Sequence, residues 1–289
     1  MSTVLDELGK KIAERWMTLL VLPGLLYVAT LTAAVVLGQR LWYGTEQLVG
    51  RMEGLAGQLD GRPAALALLL LGIVLAAAAA GLLAQGLAGL TERIWTVSWS
   101  RGPARLLGDK LVERRARKWD AAHKRFLQAE PAEAHALAEV RNRIGLERPV
   151  LPARIGDRLR ATQNRVWQHY GLDLATAWPR LWLVVDDATR QTVAAARRGF
   201  DTATTLAAWG ALYAALAVVW WPGGVIGAVV IVTGARRGLR AAAQLADLVE
   251  AVVDLRHRDL ARALGLLDED APYSTVVGRR ITEQLRKGT

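Results

Sequence analysis

Apolar runs and amphipathic stretches divide the chain into a short series of helices. From Trp16 to Gly38 the sequence reads WMTLLVLPGLLYVATLTAAVVLG, 23 residues without a charge. At helical rise they cover about 34 Å, against a hydrocarbon core of roughly 30 Å, and so predict a transmembrane helix. Its Pro23-Gly24 step predicts a kink that a neighbouring helix must cover. A second uncharged run, 64–90, predicts a second span, with Pro63 in a first turn where a missing N–H costs nothing. A third, 202–221, ends in Trp220-Trp221. Pro222-Gly223-Gly224 then predicts a tight turn into a fourth apolar segment ending at Ala235, before Arg236 and Arg237. From Val225 that segment is only 11 residues, which leaves two threadings, a full span starting inside the turn or a re-entrant hairpin.

The intervening stretches are amphipathic. Residues 1–15 place Leu5, Leu8 and Ile12 on one face and read as an interfacial helix. The loop 39–63 carries Leu48, Met52, Leu55 and Leu59 at helical spacing, which predicts a short helix lying on the outer surface. Within 91–201, residues 104–129 predict a long helix with Leu111, Val112, Trp119, Ala122 and Phe126 on one face and Lys110, Arg114, Arg117 and Lys124 on the other. A helix from Pro131 to Gly145 predicts a hairpin with it. Residues 239–267, in the final segment 236–289, show the cleanest periodicity and call for a partner, expected to be helix 104–129 or its copy in another subunit. Arg256 and Asp259 fall three apart in that face and can pair. Past Asp268-Glu269-Asp270 and Pro272 the tail reads as polar and mobile.

Charge decides the threading. The chain has 37 Lys+Arg and 27 Asp+Glu, net +10, yet mean hydropathy is +0.19. Four spans put 34 of the 37 basic residues on one side, so the positive-inside rule predicts both termini and the middle segment in the cytoplasm. The fold expected is all-α, a four-helix transmembrane bundle with an amphipathic helical cytoplasmic layer, in a bacterial plasma membrane. Trp16, Trp42, Tyr43, Trp95, Trp99, Trp220 and Trp221 fall at span ends, where indole anchors to the interface. Small residues recur every fourth position at Gly72, Ala76, Ala80 and Ala84 and at Ala207, Ala211 and Ala215, which predicts close helix packing within the bundle or between subunits.

Candidate chemistry is sparse. With no Cys, disulfides, thiolate catalysis and Cys-ligated metals are out, and the four His include no i, i+4 pair. No Asp, Glu, Lys, Arg or His lies in any span, which disfavours a pump or coupled transporter. Phosphate loops and nucleophile elbows are absent, so the reading is a non-catalytic protein without cofactor or metal. The basic face of 104–129 fits solvent or anionic lipid head groups; nucleic acid is not expected, because topology alone accounts for the excess charge. An anchor or scaffold that self-associates or binds a protein partner is the leading function. The alternative is an oligomeric channel or pore.

One segment carries a resemblance. Pro152, Arg154, Ile155, Gly156, Asp157, Leu159, Arg160 and Ala161, then Tyr170, Gly171 and Asp173, then Trp178, Pro179, Arg180 and Leu181 follow the order PxR(I/L)G(D/N)xLRA, YGxD, WPRL. The pattern resembles uncharacterised bacterial multi-pass inner-membrane proteins, and implies several spans but no activity, cofactor or catalytic residue. Arg165-Val166-Trp167-Gln168 stands where that pattern often has an aromatic-Pro pair. The segment from Leu172 to Val185 reads as an interfacial elbow held by Trp178 and Trp182, with Arg180 on lipid phosphate or on Asp157 or Asp173. Arg154, Asp157, Arg160, Tyr170, Asp173, Trp178 and Arg180 are the candidate cluster. They join the cytoplasmic layer to the membrane as a hydrogen-bonded clamp, or bind a ligand or a partner.

Overall fold

A computed structural model describes residues 21–39, 44–99 and 102–286. The expected interfacial helix 1–15 and the anchors Trp16, Trp42 and Tyr43 lie outside them. Among the described residues every regular element is helical: α1 Leu22–Leu37, α2 Thr45–Leu59, α3 Pro63–Thr96, α4 Gly102–Leu127, α5 Pro131–Ile144, α6 Arg154–Tyr170, α7 Leu174–Val184, α8 Asp187–Ala215, α9 Trp221–Ala263 and α10 Thr275–Arg286. The chain forms two compact units, one within Met1–Thr91 and Thr204–Ala235, the other Glu92–Ala203 with Arg236–Thr289; the boundaries fall inside α3, α8 and α9.

The first unit is held by small residues. A Cβ on Gly24 would overlap the Ala77 carbonyl, so the Pro-Gly step of α1 serves close approach to α3. Tyr27 packs edge-on against Tyr213 at 5.4 Å and tilts over Trp209 at 6.0 Å, closing a core with Ala80, Ala84 and Leu212. Between α8 and α9, Gly227 backs onto Ala214, Gly234 onto Ala207 and Gly210 onto Ile231, with no room for a Cβ. Of the ladder Ala207, Ala211 and Ala215, Ala207 meets α9 in a seam that runs through Ala207, Gly210 and Ala214, whereas Ala211 and Ala215 are exposed. Backbone contact selects the face where both helices are small at once, which one helix's spacing does not disclose.

The Pro-Gly-Gly sequence is no loop. Pro222 stands in the first turn of α9, where its missing N–H is tolerated, and Gly223 and Gly224 admit Leu216 and Ala217. A short 3-10 turn, Leu216–Val218, precedes it. Gln39 closes this corner: its Nε2 donates to the carbonyls of Ala217 (2.7 Å) and Val218 (3.0 Å), and its Oε1 accepts from the Trp221 amide at 3.1 Å. Three backbone groups orphaned at helix ends are thereby satisfied. α9 continues past Arg236 and Arg237 without a break for 43 residues.

α3 alone among the described helices is long and apolar enough to cross a membrane, and only 17% of its most apolar stretch is buried; α1 is a shorter apolar helix. Leu68, Leu69, Leu70 and Leu71 are 70%, 44%, 54% and 54% exposed. Val225, Val229 and Val232 on α9 are exposed as well.

The second unit has a conventional core. Val166, Leu172, Ala177, Leu181, Val253, Leu260 and Ile281, from α6, α7, α9, α10 and the α6–α7 turn, are almost fully buried together. The periodic face of 239–267 is thus covered by α6, α7 and α10, where helix 104–129 was the expected partner. The tail read as mobile is helix α10, with Ile281 and Thr282 buried. α4 and α5 do form the expected hairpin, closed by Trp119 Nε1 donating to the Gly145 carbonyl at 2.9 Å. Trp95, read as an interface anchor, instead packs on Phe200 at 6.2 Å and over Gly238, which has no Cβ to prevent it.

Candidate functional site: the polar side chains of α6 and α7

The candidate cluster separates into two carboxylate-centred joints. Asp157, in the first turn of α6, is buried. Its Oδ1 accepts from the amides of Val150 (3.0 Å) and Leu151 (2.9 Å), while its Oδ2 takes Arg115 Nη1 at 2.6 Å. The same Nη1 reaches the Leu151 carbonyl at 2.8 Å. One carboxylate therefore fixes the turn entering α6 and the guanidinium of α4. Its side chain and that of Arg115 are 8% and 16% exposed, which makes the pair costly to break from one side. Arg154 donates to the Arg143 carbonyl at the end of α5, and Arg148 forks onto Asp120 at 3.0 and 3.1 Å. Asp120 of α4 is thereby tied to the segment that follows the hairpin.

The second joint is Asp173. Its Oδ1 caps α7 by accepting from the Ala175 amide (3.1 Å), and its Oδ2 pairs with Arg286 of α10 at 3.0 Å. Its own amide donates to Thr282 Oγ1 at 3.0 Å. Gly171, at φ +67°, ends α6 in the left-handed conformation that delivers this turn. Arg180, expected on Asp157 or Asp173, reaches neither: its Nη1 donates to the Thr176 carbonyl one turn back at 3.1 Å. Both carboxylates already have a cation from another helix.

Tyr170 ties three elements. Its hydroxyl donates to Asp254 Oδ1 on α9 at 2.9 Å, and its carbonyl accepts from the Tyr273 hydroxyl at 3.0 Å. The His257 ring lies 4.5 Å from both tyrosine rings. Burial first, and then the bond to Asp254 with that carboxylate's charge, push the Tyr170 phenol up to about 12; burial likewise raises that of Tyr273. The expected pair Arg256–Asp259 is present at 3.1 Å, and Asp186 also reaches Arg256 at 3.2 Å. Trp178 packs on Trp182 at 5.8 Å, beside a groove floored by Leu245 and Val249.

Lys110, Arg114, Arg117 and Lys124 are all exposed on α4. Among the described residues no group of three or more His, Asp or Glu is placed to hold a metal ion. Arg115 and Arg286, the partners that give the two joints their charge balance, carry no local sequence signal: Arg115 sits in the run RRARK and Arg286 near the end of the chain. No protein family, curated protein or solved structure matches the chain.

Proposed function

We propose that this is an integral plasma-membrane protein of the bacterial multi-pass type, with four spans and both termini in the cytoplasm. On this reading it acts without catalysis, as an anchor or scaffold whose basic helical unit faces the cytoplasm. The observation that carries the reading is the surface of α3. Four consecutive leucines, each about 100° round the helix from the last, are all substantially exposed, so the N-terminal half of the helix is apolar and uncovered on every side, while Ala77, Ala80 and Ala84 further along meet α1 and α8. The core helix of a water-soluble protein is covered instead, and an apolar surface this continuous calls for lipid or another subunit.

The faces of 104–129 and 239–267 no longer supply the argument for a partner, because α5, α6, α7 and α10 cover much of them. Self-association draws its support from the first unit, where Gly72, Gly86 and Gly89 face open space and Ala211 and Ala215 are exposed. The basic row Lys110, Arg114, Arg117 and Lys124 suits anionic lipid head groups, at about 1 kcal/mol for each residue near the surface.

Alkaline carbonate extraction of membranes from expressing cells tests residence: the chain stays with the pellet, and its release into the supernatant would end the integral reading. Mass measured in detergent, corrected for bound detergent, tests association. A multiple of the 31.4 kDa chain is expected, and a strict monomer removes self-association.

A further inference from the structure

The three arginines of α6 other than Arg160 and the two carboxylates beside them leave an unequal distribution of charge. Arg154 is held by the Arg143 carbonyl, Arg158 by Asp247 and Arg165 by Glu250. Arg160 is exposed and makes no hydrogen bond or ion pair with the described residues. Asp157, three residues before it, is the acid its own helix offers, and that carboxylate is committed to Arg115 and two amides. Arg160 opens onto a cavity of about 560 Å³ that Ser98 and Gln163 also line. The guanidinium of Arg160, the amide of Gln163 and the hydroxyl of Ser98 stand at this mouth without a partner among the described residues, while Asn164 and Thr96, which also line it, are bonded to Glu147 and to the Glu92 carbonyl. Such a donor set suits the several oxygens of a phosphate better than the two of a carboxylate.

The mouth does not stand alone. Leu159 and Gln163 line both it and a neighbouring cavity of about 360 Å³ walled by Trp178, Pro179, Leu245 and Val249. Those four residues in turn line a third, of about 610 Å³, that adds Trp182 and Val193. A trench thus leads from a cationic polar end to an apolar end. The other cation beside it, Arg197, is neutralised by Glu92 at 2.7 Å and Asp201 at 2.9 Å. Ligand sites of roughly 300–1,000 Å³ are mostly apolar, with a few convergent polar groups that fix orientation. This one is polar at one end only, which is the pattern of an amphiphile.

We propose that the second unit binds an anionic phospholipid, its phosphate at Arg160, Ser98 and Gln163 and its acyl chain along Trp178, Trp182, Leu245 and Val249. The site deepens the membrane reading by naming a specific lipid contact apart from the basic row of α4. It rests on that reading only for its supply of ligand. Binding is therefore measured on the purified full chain in detergent, where a chain that failed carbonate extraction still reports on the site.

The test is native mass spectrometry with phosphatidylglycerol, phosphatidylcholine of the same chains, and inorganic phosphate as competitor. Phosphatidylglycerol is expected to be retained about tenfold better than phosphatidylcholine, whose phosphate is the same but whose choline cation beside the guanidinium offsets about one charge-assisted contact. Arg160→Gln erases that preference, while Arg280→Gln, an equal loss of charge on an exposed residue of α10, leaves it. Ala175→Trp, at an exposed position on the trench wall, lowers retention of both lipids severalfold. Unchanged helical circular dichroism and thermal midpoint keep each variant interpretable. Equal retention of the two lipids by the unmodified chain, or equal losses in Arg160→Gln and Arg280→Gln, overturns the proposal. Displacement of lipid by millimolar inorganic phosphate, together with indifference to Ala175→Trp, also overturns it and assigns Arg160 to a soluble phosphate compound.

Discussion

At the scale of single residues, Asp157 and Asp173 each join a helix start to a cation from another helix, Arg115 and Arg286 respectively. Asp157 and Asp173 are legible because each stands where a helix begins, where an acid meets orphaned N–H groups. Arg115 and Arg286 are not legible, since 42 and 113 residues separate them from their acids and local spacing is silent at that distance. Asp157→Ala leaves a mostly buried guanidinium unpaired and is expected to lower stability by about 3–5 kcal/mol. Arg115→Ala costs a similar amount and the double variant much less than the sum, measured by denaturant unfolding in detergent; additive losses would show that the two act separately. Tyr170 gives a pH dependence with a definite sign. Its phenol titrates near 10 when the chain is unfolded and near 12 when folded, so the neutral form is favoured in the native state. Its contribution is whole below pH 10 and is lost as pH rises from 10 to 12. Tyr170→Phe should flatten part of that alkaline decline, and Tyr273, shifted in the same direction, retains the remainder.

At the scale of elements, helix existence follows from periodicity, and helix packing follows from glycine. The α4–α5 hairpin and the long periodic stretch around residues 239–263 are readable because each carries an apolar face several turns long. α10 escapes the sequence reading although Val277, Ile281 and Leu285, four apart, form a stripe that packs on the core beside the buried Gly278 and Thr282; its 12 residues follow an acidic, Pro-containing stretch that reads as the end of helical structure. What orders it is the matching hollow at Tyr170 and Leu172, where a Cβ on Gly278 would overlap the Tyr170 carbonyl. Gly278→Ala should therefore detach α10 while the rest of the unit holds, seen as faster amide exchange confined to Thr275–Arg286 and its contacts. Exchange spread over the whole unit would contradict this. The α8–α9 seam makes a paired prediction. Gly227→Ala drives a methyl into the Ala214 backbone and should cost about 1–3 kcal/mol. In the monomer Gly72→Ala faces open space and should be neutral or stabilise α3 by up to about 1 kcal/mol. Thermal midpoints of the two variants in the same detergent decide it.

At the scale of the whole molecule, the opposed tendencies of the composition are sorted between two units. The described residues of the first expose leucine and valine, and in the second the charges pair in networks such as Asp186–Arg256–Asp259. The proposed threading is open to a direct test because the chain contains no cysteine. Gln58→Cys on α2 should react with a membrane-impermeant maleimide in intact spheroplasts. Lys118→Cys on α4 and Glu283→Cys on α10 should react only after lysis. Labelling of Glu283→Cys from outside would make 225–235 re-entrant and place the C-terminal helix on the other face.

What the sequence determined by itself was every property that depends on neighbours within a few turns: which segments are apolar throughout, which are two-faced, where acids stand at helix starts, and how basic residues alternate with uncharged runs. Only the tertiary structure decided which face meets which. It routed Gln39 to the corner between α8 and α9, gave Asp157 to Arg115, made Pro222-Gly223-Gly224 the opening of a 43-residue helix, and left Arg160 without a partner among the described residues. The reason is physical. A helix is set by hydrogen bonds four residues apart, whereas the choice among several equivalent arginines or small residues is made by the shape and charge of whatever distant segment arrives against them.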